Sequence, residues 1–149
     1  MEDPYATIAF ALKQAQHALR TRMDAQLRQI GLTTPQYAVL AYTPQYAVLA
    51  YLKVAPGASN AALARQAFVT PQTMQAILVT LEKSGAIKRT PHPEHGRVQQ
   101  TELTRLGDQV LEAASVIVAD AEKRLVDAAA PLAPELVANM LMRLASALR

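Results

Sequence analysis

Residues 34–42 read Thr-Pro-Gln-Tyr-Ala-Val-Leu-Ala-Tyr, and residues 43–51 repeat the same nine letters. A unit this short excludes solenoid and array folds, whose repeats are supersecondary elements of about 20–50 residues. It also constrains the helix that its apolar letters favour. Thr34–Pro35 and Thr43–Pro44 each pair an N-cap with a first-turn proline, so each is a helix start. Burying Pro44 in the middle of a helix would cost about 3 kcal/mol or more. Nine further residues also rotate a continuous helix by roughly half a turn net and lengthen it by about 13.5 Å. The repeat therefore predicts a break near Tyr42–Thr43, with the second helix proper starting at Thr43–Pro44. The first copy then forms a short extra helix or extends the preceding one. The pattern is that of an in-frame duplication.

Elsewhere the chain is punctuated into helices. Ile8, Leu12, Ala15, Leu19, Met23, Leu27 and Ile30 recur at steps of three and four, an amphipathic helix within 4–30 that Gly31 ends. Little else in the chain is available to cover so long a stripe, so a partner helix is implied. Ser59 or Asn60 caps a short helix to Ala67. Thr70–Pro71 starts another that runs to Ser84 and stops at Gly85. Ile87–Arg89 and Val98–Leu103 are extended runs around a Pro-, His- and Gly-bearing tip, a hairpin. Thr104 caps a long helix to about Ala129 that carries Leu106, Val110, Ala114, Ile117, Ala121 and Leu125 on one face. Pro134 opens the last helix, with Val137, Met140, Leu141, Leu144 and Leu148. The predicted order is α-α-α-α-β-β-α-α: a mainly α fold, a winged helix-turn-helix between N- and C-terminal dimerisation helices. Residues 1–31 and 106–149 are assigned to dimerisation and 32–105 to the helix-turn-helix domain.

Composition removes several functions. The 149-residue chain is 51% hydrophobic, enough for a packed core. It has no Cys, which excludes disulfides, thiolate zinc sites and cysteine redox sensing. No apolar run approaches the 18 residues of a membrane span and no leader-like segment opens the chain, so a cytoplasmic protein with no membrane partner is expected. The net charge of +3 is uneven: residues 60–105 hold six Lys/Arg against three Asp/Glu, whereas 106–149 hold four against six. The basic excess lies on the predicted helix-turn-helix and wing.

The helix after Thr70 shows why that placement matters. Met74, Ile77, Leu78 and Leu81 fall on a core face. Gln72, Thr73, Gln75, Ala76 and Thr80 fall on the opposite one, small or amide-bearing where a merely solvated face would carry Glu and Lys. Gln can bond adenine N6 and N7 together, Thr can donate to bases or phosphates, and the helix N-terminus offers free N–H groups to a phosphate.

The run Leu81-Glu82-Lys83-Ser84-Gly85-Ala86-Ile87-Lys88-Arg89, then Gly96–Arg97, then Leu103–Thr104 with Gly107, resembles the signature of the MarR family of transcriptional regulators. The likeness covers residues 60–107, and the flanking helices fit the family layout. It implies a homodimer that binds a pseudo-palindromic double-stranded DNA operator, usually as a repressor relieved by a small molecule, often an aromatic acid. By position it implies that Thr70, Gln72, Thr73 and Gln75 approach bases or phosphates and that Arg97 is the minor-groove reader of the wing. Lys88 and Arg89 would support the wing or touch phosphate. The family's usual wing acid is His95 here, which leaves Arg97 less preorganised, puts His95 itself on phosphate, or gives the acidic role to Glu94.

Asn60 and Arg65, on the first helix of the motif, complete the candidate DNA contacts, although Arg65 reads equally as an ordinary surface arginine. His17, Tyr37 and Tyr46 are the candidate effector-pocket residues; for the tyrosines the competing reading is core packing with hydroxyls reaching solvent, and for His17 a plain surface histidine. His92-Pro93-Glu94-His95 lacks the helical spacing of a metal site, and no metal or cofactor is expected. No Ser/His/Asp arrangement or Gly-rich phosphate loop supports an enzyme. The alternative is a winged-helix variant whose DNA binding the repeat has impaired and which acts only through protein contacts.

Overall fold

The computed structural model describes residues 3–30 and 42–149, the second stretch with side chains from residue 45 onward. After a short 3₁₀ turn at Pro4–Ala6, helix α1 runs Ile8–Leu27, with the Thr7 hydroxyl accepting from Phe10 N–H at 3.1 Å as its cap. A second 3₁₀ turn, Arg28–Ile30, follows it. Helix α2 is described over Tyr42–Val54, so Tyr42 and Thr43, between which the repeat predicted a break, lie together in its first described turn. Residues 31–41, which hold Tyr37 and all of the first copy except Tyr42, lie outside the described residues.

Helices α3 (Asn60–Ala67) and α4 (Pro71–Lys83) form the helix-turn-helix, capped by Ser59 and Thr70. Strands β1 (Ile87–Pro91) and β2 (Gln99–Leu103) pair antiparallel, with Ile87 opposite Leu103 and Pro91 opposite Gln99. Ala58 bridges to Thr101 beside them, fastening the end of the α2–α3 connection to the wing. Helix α5 (Arg105–Ala129) and helix α6 (Pro134–Ala147) complete the order and meet at 97°. The fold is thus mainly helical with one small two-stranded sheet, as the punctuation predicted.

The core lies where α2, α3, α4, the root of the wing and the ends of α1 and α5 converge. Leu27, Leu49, Leu52, Leu63, Met74, Leu78 and Leu81 are fully buried there. At about 25 cal/mol per Å² of apolar surface, each such side chain contributes about 1.5–3 kcal/mol. All four α4 residues expected to face inward do so. Thr80 does not stay on the outer face: it is buried, and its hydroxyl donates to Ala76 C=O at 3.0 Å. That back-bond satisfies the hydroxyl within its own helix, so Thr can take a core-edge position that a polar/apolar pattern assigns to solvent.

Two ion pairs and a backbone joint tie α5 to the rest of the chain. Lys53 of α2 pairs with Asp108 of α5, and Arg22 of α1 donates to Asp120 of α5 at 2.9 Å. The third joint is backbone. Thr104 caps α5 by accepting from Gly107 N–H at 3.1 Å, its hydroxyl donates to Gly85 C=O, and its own N–H donates to Ala86 C=O at 3.1 Å. Gly107 lies so close to that carbonyl that a Cβ would stand 1.9 Å from Ala86 O.

The stripe of α1 divides along its length. Met23 and Leu27 are buried within the chain, whereas Ile8 is 67% exposed. Leu132, Leu136, Met140, Leu141 and Leu148 around α6 are exposed as well. No single helix among the described residues is long and apolar enough to cross a membrane.

Candidate nucleic-acid interface

The interface is built from the start of α4 outward. Thr70 sits in extended backbone and accepts from Thr73 N–H at 3.1 Å, while the hydroxyls of the two threonines lie 3.0 Å apart. Pro71, at the first helical position, has a fixed φ suited to a helix start and no N–H to leave unsatisfied. Thr73 N–H bonds the Thr70 hydroxyl and Met74 N–H the Thr70 C=O, which leaves the Gln72 N–H as the first-turn donor at the positive end of the helix dipole. Thr70, Gln72 and Gln75 are exposed, and Thr73 is half-buried behind them.

Two other predicted residues converge on Gln75. Its Oε1 accepts from Asn60 Nδ2 at 3.0 Å and from Arg89 Nη1 at 3.2 Å. Arg89 also donates through Nη2 to Glu82 Oε1 and through its backbone N–H to Glu82 Oε2, both at 3.2 Å. Its side chain is only 12% exposed. Arg89 therefore fastens β1 to α4, and Glu82 is its partner there, a contact that spacing alone did not expose. Lys88 points to the other face of the hairpin and pairs with Glu102, its cross-strand neighbour, at 3.5 Å.

The wing tip is held by a side chain. His92 Nδ1 accepts from the N–H groups of Glu94 and His95 at 3.0 and 3.2 Å, and the two imidazole rings lie 5.0 Å apart. Backbone bonds of 2.7 Å join His92 N–H to Val98 C=O and Val98 N–H to His95 C=O. This tight turn leaves Glu94, His95, Gly96 and Arg97 exposed. Arg97 makes no ion pair among the described residues, with Glu94 or any other acid. Arg65 is exposed on α3.

Behind the interface a cavity of about 750 Å³ opens between α1, α2 and the α3–α4 turn. Gln16, Leu19, Arg20 and Met23 supply the α1 wall at helical spacing, and Arg20 there also pairs with Asp24 at 3.5 Å. Tyr46 lines the α2 wall. His17 does not: it lies about 100° around α1 from Gln16 and is exposed away from the cavity. Phe68, which the sequence reading passed over, lines the remaining wall with Thr70 and Thr73. It is the left-handed residue of the turn (φ 56°, ψ 43°) and is 85% exposed. A bulky aromatic immediately before a Val-Thr-Pro helix start was the available signal.

The MarR family profile matches residues 30–98. The HTH-type transcriptional repressor Rv2887 of Mycobacterium tuberculosis is 34% identical over 121 residues, 81% of each chain. The chain belongs to the MarR family. The solved structure of the transcriptional repressor CouR bound to a 23-mer DNA duplex has the same fold: TM-score 0.78 at 23% identity, covering 100% of both chains. The MarR family protein Rv2887 in complex with p-aminosalicylic acid superposes with a TM-score of 0.70 at 28% identity, over 94% of this chain and 99% of that one.

Proposed function

We propose that this MarR family member is a homodimeric, cytoplasmic transcriptional repressor of a pseudo-palindromic operator, released by a small aromatic acid. The observation that carries the reading is the exposed, uncharged edge of α4 (Thr70, Gln72, Gln75) set beside a wing tip that presents an Arg97 with no ion pair among the described residues. Thr73 and the α4 N-terminus support the same edge, with Arg65 and His95 as outer contacts to phosphate. Asn60 and Arg89 act behind Gln75, and Lys88 stiffens the wing. A second copy covers the exposed apolar residues of α1 and α6, so α1, α5 and α6 dimerise while the segment from α2 to β2 reads DNA. Relatives agree in kind: CouR was solved on a duplex, and Rv2887 with salicylic and p-aminosalicylic acids.

The effector reading rests on the cavity, which is within the usual 300–1,000 Å³ range of ligand sites and sets Arg20 and Tyr46 among apolar walls. Its wall includes Thr70 and Thr73, so a bound acid would touch the start of α4 directly. The repeat is assigned an effect on operator affinity or effector response, because it lengthens the connection between the dimerisation helix α1 and α2.

Footprinting on the DNA upstream of its own and adjacent genes tests the function. A protected two-half-site region that salicylate releases is expected. A dimer that protects nothing would instead favour the reading in which the chain acts only through protein contacts.

A further inference from the structure

We propose that Gln75 reads DNA as a hydrogen-bond donor only and selects guanine over adenine. The proposal rests on the DNA-binding reading above and concerns the chemistry of one position in each half-site. A glutamine amide ordinarily offers one acceptor oxygen with two lone pairs and two donor N–H groups. Used freely, it pairs with adenine, accepting from N6 and donating to N7. Gln75 is not free in this way. Its Oε1 takes Arg89 Nη1 at 3.2 Å and Asn60 Nδ2 at 3.0 Å, so both lone pairs are occupied.

The orientation of the amide follows from chemistry. Guanidinium has donors and no acceptor, so the group Gln75 turns toward Arg89 must be its oxygen. Arg89 cannot swing aside cheaply, because Glu82 Oε1 holds its Nη2 at 3.2 Å and its side chain is only 12% exposed. What remains on the exposed side of Gln75 is the Nε2 amino group with its two hydrogens. In the major groove guanine presents two adjacent acceptors, N7 and O6; adenine sets a donor, N6, beside its N7; cytosine presents the N4 donor. A donor-only head therefore bonds the guanine edge, makes a single bond with adenine, and meets cytosine donor to donor. Asn60 and Arg89 act as positioning residues for this choice.

The test is selection from randomised duplexes with the full-length protein and two variants. Wild type is expected to enrich a G·C pair at one position per half-site, and Gln75→Ala to lose the preference at that position alone. Arg89→Met frees one lone pair of the carbonyl to accept from adenine N6 and is expected to move that position toward A·T. Should Arg89→Met unfold, 7-deazaguanine at the same position replaces it. Losing N7 should weaken wild-type binding about fivefold and leave Gln75→Ala unchanged. An A·T pair at the Gln75-dependent position in wild type overturns the proposal. So does Gln75→Ala binding that falls uniformly with an unchanged consensus, which would place the amide on phosphate. Failure of wild type to enrich any sequence would bring down the DNA-binding reading itself, and this proposal with it.

Discussion

Gly107→Ala inverts the sign that helix propensity assigns to it. Gly107 is the third residue of α5, and in an open helix alanine there would stabilise by about 1 kcal/mol. Here the new Cβ would stand 1.9 Å from Ala86 O and 2.9 Å from Ala86 C, against the 3.4 Å at which ordinary contact begins. About 1.5 Å of separation must be found. The obstacle is backbone, and that carbonyl already accepts from Thr104 N–H. Overpacking at the upper end of its range costs about 3 kcal/mol, so the net loss is about 2 kcal/mol after the propensity gain. For a chain of this size that lowers Tm by about 4–8 °C. Urea unfolding of wild type and variant measures it, with Gly96→Ala as control. A Cβ at Gly96 meets nothing within 4 Å, so that change should stay within about 0.5 kcal/mol. Gly107→Ala equal to or more stable than wild type would refute the close approach of α5 to the α4–β1 turn.

Other perturbations test separate parts of the structure. Thr101→Val should raise stability by about 1 kcal/mol in urea unfolding, because Thr101 is fully buried and its hydroxyl has no partner among the described residues; a loss would reveal a hydrogen bond there. The Asp120 carboxyl is held below its ordinary range by hydrogen bonds from Arg22 and then Arg124. A lowered folded value gives stability that is present above the unfolded value, near pH 3.9, and lost as pH falls through the folded one. The advantage of wild type over Asp120→Asn should therefore shrink below about pH 4, and a gap independent of pH would contradict it. Arg97→Ala should weaken operator binding by about 1–3 kcal/mol in a gel shift, and unchanged affinity would remove Arg97 from the interface. Deleting residues 43–51 gives the same 140-residue chain as deleting 34–42. That chain should unfold like the parent yet titrate operator or effector differently, and superimposable titrations would show that the repeat is inert.

Much of the fold could be read from local punctuation, because caps and stops act over a few residues. Thr70–Pro71 begins α4 and Gly85, at φ +82°, follows its end, each for reasons written in its own side chain or lack of one. The apolar α4 positions were equally legible. Thr80 was not, since a hydroxyl that bonds its own helix no longer behaves as a polar surface group. The contacts among the candidate site residues were less legible. Arg89 reads as a cation for phosphate until the fold brings Glu82 and Gln75 to it, and Gln75 reads as an adenine partner until its oxygen is spent. Both facts depend on contacts between elements, which spacing does not carry. Tyr46 lines the cavity while His17 misses it, because one residue of helical phase decides which side of α1 a side chain leaves from. Gly107 belongs to a recognisable run of letters, yet only the position of Ala86 O explains why it is glycine.

The backbone joint at Thr104 also makes α5 a lever. Its 25 residues span about 37 Å. The end spliced to α4 and the wing lies far from the end that meets α6. A tilt of roughly 5° about the far end would carry the DNA-reading end through about 3 Å, close to the 3.4 Å rise of one base pair. Small repacking where two copies meet would thus be magnified into a shift of about one base in where each reading head falls. The precision with which such a dimer spaces its half-sites is set less by the residues that touch DNA than by the stiffness of the contacts between copies.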